Sequence, residues 1–184
     1  MAFYGIMVES RIQATNIDAL NRSVVCAGAN VDGGNLIQLT APTAQGNDVW
    51  TAAVPTAKTG LWMAYNPSEK YTLVNGKYFA GLSDDPRDYT NLATRTFTAF
   101  KPKVGDEILL TIECLDSASQ TTVVAGDFIE AKAAQSTLTR IAQATGATAN
   151  TTSFQVEYVG VMPFPQAKVG MEQHKMVKAV CVQE

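Results

Sequence analysis

His174 is the one histidine of the chain, so a nucleophile that needs an imidazole base beside it has a single residue to draw on. It stands in Glu172-Gln173-His174-Lys175, a polar run ahead of an apolar one, which predicts a surface histidine rather than a base in a cleft. Gly81-Leu82-Ser83-Asp84-Asp85 lacks the second glycine of a nucleophile elbow. Asp84, Asp85 and Asp88 are the densest carboxylates. A calcium loop counted from Asp84 needs glycine where Tyr89 stands and glutamate where Arg95 stands. These carboxylates read more simply as a turn in which Asp84 or Asp85 accepts backbone N–H groups, Pro86 sets the corner and Arg87 pairs with a neighbouring carboxylate. A small hydrolase using Asp84, Asp85 or Asp88 is the weakest alternative.

The glycines never assemble into a phosphate-cradling pattern. Cys26, Cys114 and Cys181 each lie inside an apolar run, which predicts buried, reduced thiols and synthesis in a cytoplasm. No metal and no cofactor is expected. Trp50, Trp62, Tyr65 and Tyr89 offer flat faces that pack on pyranose rings, so a carbohydrate-binding β module is an alternative function; the same residues serve equally as core or interface aromatics.

Charged residues make up only 17% of the chain, and Thr, Ala, Ser, Asn and Gln take their place. Such groups are cheaper to desolvate than Lys or Glu, which suits a surface that packs beside copies of itself or a partner. The net charge is −3 and Lys and Arg do not cluster, which argues against nucleic acid as a partner. Nothing approaches the run of about 20 apolar residues that a membrane span needs. Met1 to Val8 has no basic segment before it and no small-residue cleavage site after it, so no signal peptide is expected.

The elements that must position these groups read as β. Val24 to Ala27 and Leu36 to Thr40 flank Asp32-Gly33-Gly34-Asn35 and predict a hairpin. Ala41 to Gly60 predicts a long loop with Trp50 in its middle. Leu61 to Tyr65 is extended, and Asn75-Gly76 is a hairpin signal between Tyr71–Val74 and Lys77–Ala80. Two Gly-Asp corners, Gly105-Asp106 and Gly126-Asp127, turn the chain into apolar runs. Ile108 to Ile112, Phe154 to Val159 and Met176 to Val182 are the clearest strands. Residues 129–144 read either as a helix, on their Ala, Lys, Gln and Arg, or as strand. The expected fold is mainly β: a small barrel or sandwich with long loops, an N-terminal arm over residues 1–22, a single β-rich domain over residues 23–184, and room for one short helix.

Lys77 to Asn91 forms a turn cluster, followed by the pair Phe97 and Phe100, then Lys101-Pro102-Lys103-Val104-Gly105-Asp106 and an apolar strand ending at Cys114. Over Val24 to Cys114 this order resembles small virion proteins of tailed bacteriophages, in particular head decoration or accessory capsid proteins. The resemblance implies a structural protein, not an enzyme, located in the virion after synthesis in the bacterial cytoplasm. Its partners would be the major capsid protein or other virion proteins, with self-association on the particle; a tail or connector accessory is the nearest variant. Residues expected to meet such partners are Phe3, Tyr4, Ile6 and Val8 of the arm, together with Trp50, Arg87 and Tyr89.

Overall fold

The computed structural model describes residues 4–8, 16–43, 48–67, 71–74, 77–80, 86–163 and 173–184. Among these the strands, in chain order, are β1 (Met7–Val8), β2 (Asn21–Cys26), β3 (Leu36–Pro42), β4 (Val49–Ala53), β5 (Trp62–Ala64), β6 (Tyr71–Val74), β7 (Lys77–Ala80), β8 (Thr96–Phe100), β9 (Glu107–Thr111), β10 (Phe128–Glu130), β11 (Thr139–Ile141), β12 (Ser153–Pro163) and β13 (Gln173–Gln183). One short helix, α1 (Ser117–Thr122), joins them. The fold is mainly β, as the sequence predicts. No helix among the described residues is long and apolar enough to cross a membrane.

The strands form a closed five-stranded barrel in the order β2-β4-β3-β5-β8 and a six-stranded sheet in the order β1-β9-β13-β12-β10-β11. In the barrel β2 and β4 run parallel, and every other pair is antiparallel. Alternation along each strand sorts its side chains. Val24, Cys26, Ile37, Ala52, Ala64, Phe97 and Ala99 are buried in one cluster that fills the barrel. The intervening positions Leu36, Met63 and Phe100 point outward and meet Ile108, Leu110, Phe154, Val156, Val177 and Ala179 of the sheet in the main core. Phe100 lies 5.2 Å from the Tyr65 ring, tilted by 59°. Each large side chain buried here contributes about 1.5–3 kcal/mol, so the junction of barrel and sheet contributes substantially to stability.

The two Gly-Asp corners are one device used twice. Lys103 N–H and Val124 N–H each donate to the carboxylate of the aspartate three residues on, at 2.8 and 3.1 Å. Asp106 and Asp127 return their backbone N–H to the carbonyls of Lys103 and Val124. The residue before each aspartate must take positive φ, and Gly105 and Gly126 do so at 97° and 92°. Each turn launches a strand of the six-stranded sheet, β9 or β10.

Several expectations need correction. The hairpin of β2 with β3 does not form: β2 pairs with β4 and β8, while β3 pairs with β4 and β5. The Asp-Gly-Gly connection is tied elsewhere, because Asp32 accepts Gly5 N–H at 3.2 Å and the Thr90 hydroxyl at 2.7 Å. A side chain at Gly34, where φ is 80°, would also run into Leu110 and Cys114. Trp50 lies in β4 rather than in a loop, since the alternating Val49-Trp50-Thr51-Ala52 supplies the strand that closes the barrel. For residues 129–144, read either as helix or as strand, the structure gives strand: they hold most of β10, all of β11 and the start of a 3₁₀ turn over Gln143–Thr145. The helix is instead α1, whose N-cap Asp116 accepts Ser119 N–H at 2.8 Å.

Residues 6–8 of the expected arm are tied to the chain's own sheet. β1 pairs with β9, Ile6 N–H donates to Thr111 Oγ1 at 3.0 Å, and Thr111 N–H returns a bond to the Ile6 carbonyl at 2.8 Å. Met7 is fully buried in the main core. The boundary at residue 22 falls inside β2. β6 and β7 pair as a hairpin with Val74 opposite Lys77, and the turn residues Asn75 and Gly76 lie outside the described residues.

Candidate functional site

One end of the barrel carries an open arrangement of polar and aromatic groups. Arg22 shares the inward parity of Val24 and Cys26 on β2, as Trp50 does with Ala52 on β4 and Trp62 with Ala64 on β5. The pairing places Trp50 beside Val24 in the parallel ladder and Trp62 opposite Ile37. Strand direction then brings Arg22, Trp50 and Trp62 to the same end, where both indoles pack on the barrel cluster and close it. The Arg22 guanidinium lies over the Trp62 ring at 5.7 Å and donates to the Asn21 carbonyl at 2.9 Å. Outside this lid is a groove of about 420 Å³ lined by Asn21, Arg22, Ser23, Asp48 and Trp50.

A second constellation joins residues far apart in the chain. Arg87 Nη1 lies 3.2 Å from His174 Nδ1, and His174 Nε2 lies 2.8 Å from Glu113 Oε2. A guanidinium only donates, so Nδ1 accepts and Nε2–H donates to the carboxylate: a neutral imidazole held between a cation and an anion. Arg87 is completely buried. This corrects the surface placement of His174, which sits on β13 opposite Met162 with a side chain only 12% exposed. Both ring nitrogens are engaged, so the residue works as a tie between the 3₁₀ turns Pro86–Asp88 and Ile112–Cys114 and the sheet.

The thiols are free and buried, as the sequence predicts. Burial pushes Cys114 far above the ordinary thiol range, and its Sγ–H donates to the Ile6 and Gly33 carbonyls, bonds that a thiolate could not make. Burial also pushes Cys181 up to about 12. Neither is a nucleophile at neutral pH. Among the described residues no three His, Cys, Asp or Glu side chains gather as a metal would require. Asp84 and Asp85 lie outside the described residues; Asp88 is half-buried.

The third feature is a ribbon. β12 and β13 pair along their whole lengths, yet β10 covers β12 only from Ser153 to Gln155. Gly126 and Asp127 bond the backbone of Val156. Beyond that point, from Tyr158 to Pro163, no strand among the described residues pairs with the outer edge of β12. Tyr158 and Val161 on this stretch are 46% and 56% exposed.

The residues expected to meet partners do not come together on one surface. Phe3 lies outside the described residues; Tyr4 is exposed and Val8 half-buried. Ile6, Arg87 and Tyr89 are buried within the chain and offer no contact area, because β1 and the Pro86–Asp88 turn are packed into the fold. Trp50 is the member of the set that borders an open groove. Arg22 was missed from sequence, since its approach to Trp50 depends on the non-local β2–β4 pairing, and Asp48, two residues before Trp50, reads from sequence only as part of a loop. No family model, curated protein or solved structure matches the chain.

Proposed function

We propose that this chain is a structural protein of a tailed-bacteriophage virion, a decoration protein that binds and reinforces the assembled capsid. The observation that carries the proposal is the β12–β13 ribbon, whose outer edge from Tyr158 to Pro163 pairs with no strand among the described residues and bears the exposed side chains of Tyr158 and Val161. An unpaired edge offers backbone N–H and C=O groups to a strand of another chain, while Tyr158 and Val161 supply apolar area beside it. The resemblance of the segment through Cys114 to head proteins supplies the identity of the partner, the major capsid protein or a neighbouring virion protein. The engaged state of His174, Cys114 and Cys181 favours a structural over a catalytic role.

Reinforcement follows from mass action. A chain that binds the assembled shell but not its free subunits stabilises the shell by about 2.7 kcal/mol per site when present at about 100 times its Kd. The test is quantitative mass spectrometry of density-purified particles of the parent phage. A copy number in fixed ratio to the major capsid protein is the expected result. Absence from purified particles would overturn the proposal.

A further inference from the structure

We propose that the mouth of the barrel is a binding site for a neutral saccharide. The groove outside the lid, about 420 Å³, falls within the roughly 300–1,000 Å³ range of small-ligand sites, and barrel mouths are a recurrent place for them. Its floor is preformed: Trp50 packs on the barrel cluster and borders the groove, so it presents apolar surface that does not have to be ordered on binding. The C–H face of a pyranose ring has the complementary character.

The polar lining selects among ligands. Arg22 supplies donors, Asp48 acceptors, and Ser23 both. The side chains of Asp48 and Ser23 make no hydrogen bond or ion pair among the described residues, and both residues are exposed. A sugar hydroxyl donates to a carboxylate and accepts from a guanidinium in one ligand, so adjacent hydroxyls satisfy Asp48 and Arg22 together. An anionic ligand would face Asp48 and a cationic one Arg22. The mixed pair thus favours an uncharged polyol over a sugar acid or an amine. This inference rests on the barrel alone and is independent of where the protein resides.

The test uses the full chain labelled with ¹⁵N. The indole N–H signals of Trp50 and Trp62 are followed while maltose, lactose, cellobiose and N,N′-diacetylchitobiose are added in turn. A saturable shift of the Trp50 signal by at least one of them is expected, with Kd on the order of 1 mM. Asp48→Ala, an exposed position whose change leaves the fold intact, is expected to weaken that binding at least about fivefold, and Trp50→Ala at least about tenfold. Glucuronate is expected to bind more weakly than glucose. The proposal is overturned if none of the four disaccharides gives a saturable shift, if Asp48→Ala binds as tightly as the parent, or if glucuronate binds better than glucose.

Discussion

Replacing Met7 by alanine tests whether the first strand belongs to the fold or to a partner. The Met7 side chain has no exposed surface and lies in the cluster that joins barrel to sheet. Its backbone is clamped by one amide: Met7 N–H donates to Asn66 Oδ1 at 2.9 Å, and Asn66 Nδ2 donates to the Met7 carbonyl at 2.5 Å. Truncating a buried methionine to alanine costs about 2–5 kcal/mol. In a domain of this size each kcal/mol lowers Tm by about 2–4 °C, so Met7→Ala is expected to lower it by about 4–20 °C. Asn66→Ala leaves the apolar side chain in place but strips the clamp, with an expected cost of about 1–3 kcal/mol from the orphaned backbone groups. Differential scanning calorimetry of the isolated chain reads both. A Met7→Ala protein that melts within about 1 °C of the parent would refute the intrinsic-strand reading.

Three further outcomes are expected. Alanine at Gly105 or Gly126 places a Cβ at positive φ and costs about 1–2 kcal/mol at either corner, since the Gln143 amide that the Gly126 Cβ would meet is the movable end of a side chain; urea midpoints unchanged from the parent would contradict this. Asp116 and Asp127 are raised by burial, but hydrogen bonds from Thr139 and Ser119 to the first and from Arg140, Val124 and Gln143 to the second hold both carboxyls below the usual range. Their stabilisation is therefore full above the unfolded value of about 3.9 and fades as pH falls through the folded values; Asp127→Asn should flatten the acid limb of a urea-midpoint profile, and an unchanged limb would count against it. A thiol reagent at about pH 8 should label none of Cys26, Cys114 and Cys181 in the native protein and all of them in denaturant; rapid native labelling would show that the burial is breached.

Legibility from sequence followed the range of the interactions. β12 and β13 were readable because alternation is a property of neighbouring residues, and the Gly-Asp corners because an aspartate three residues along closes its own turn. α1 was missed since six residues are too few to show a helical period, although Asp116 ahead of Ser117-Ala118-Ser119 is a legible cap. The partners of β2 were not readable, because closing the barrel joins Val24 to Trp50 on one side and Phe97 on the other, across the whole first half of the chain. The Arg87–His174–Glu113 tie is equally non-local, joining residues 87 and 61 apart, and the local polarity around His174 points the other way. From sequence Trp50 reads equally as a buried or a binding aromatic; the barrel mouth sets Arg22 and Ser23 beside it and its near neighbour Asp48.

The most direct test of the proposed capsid-reinforcing role is binding to phage particles that lack this chain. Purified parent protein is expected to co-sediment with them saturably and to raise their disruption temperature. Val161→Lys, a charge on the exposed ribbon edge, is expected to abolish both effects while leaving the melting temperature of the isolated chain unchanged. Particles that ignore the parent protein, or that bind parent and Val161→Lys equally, would contradict the assignment of the β12 edge as the docking element.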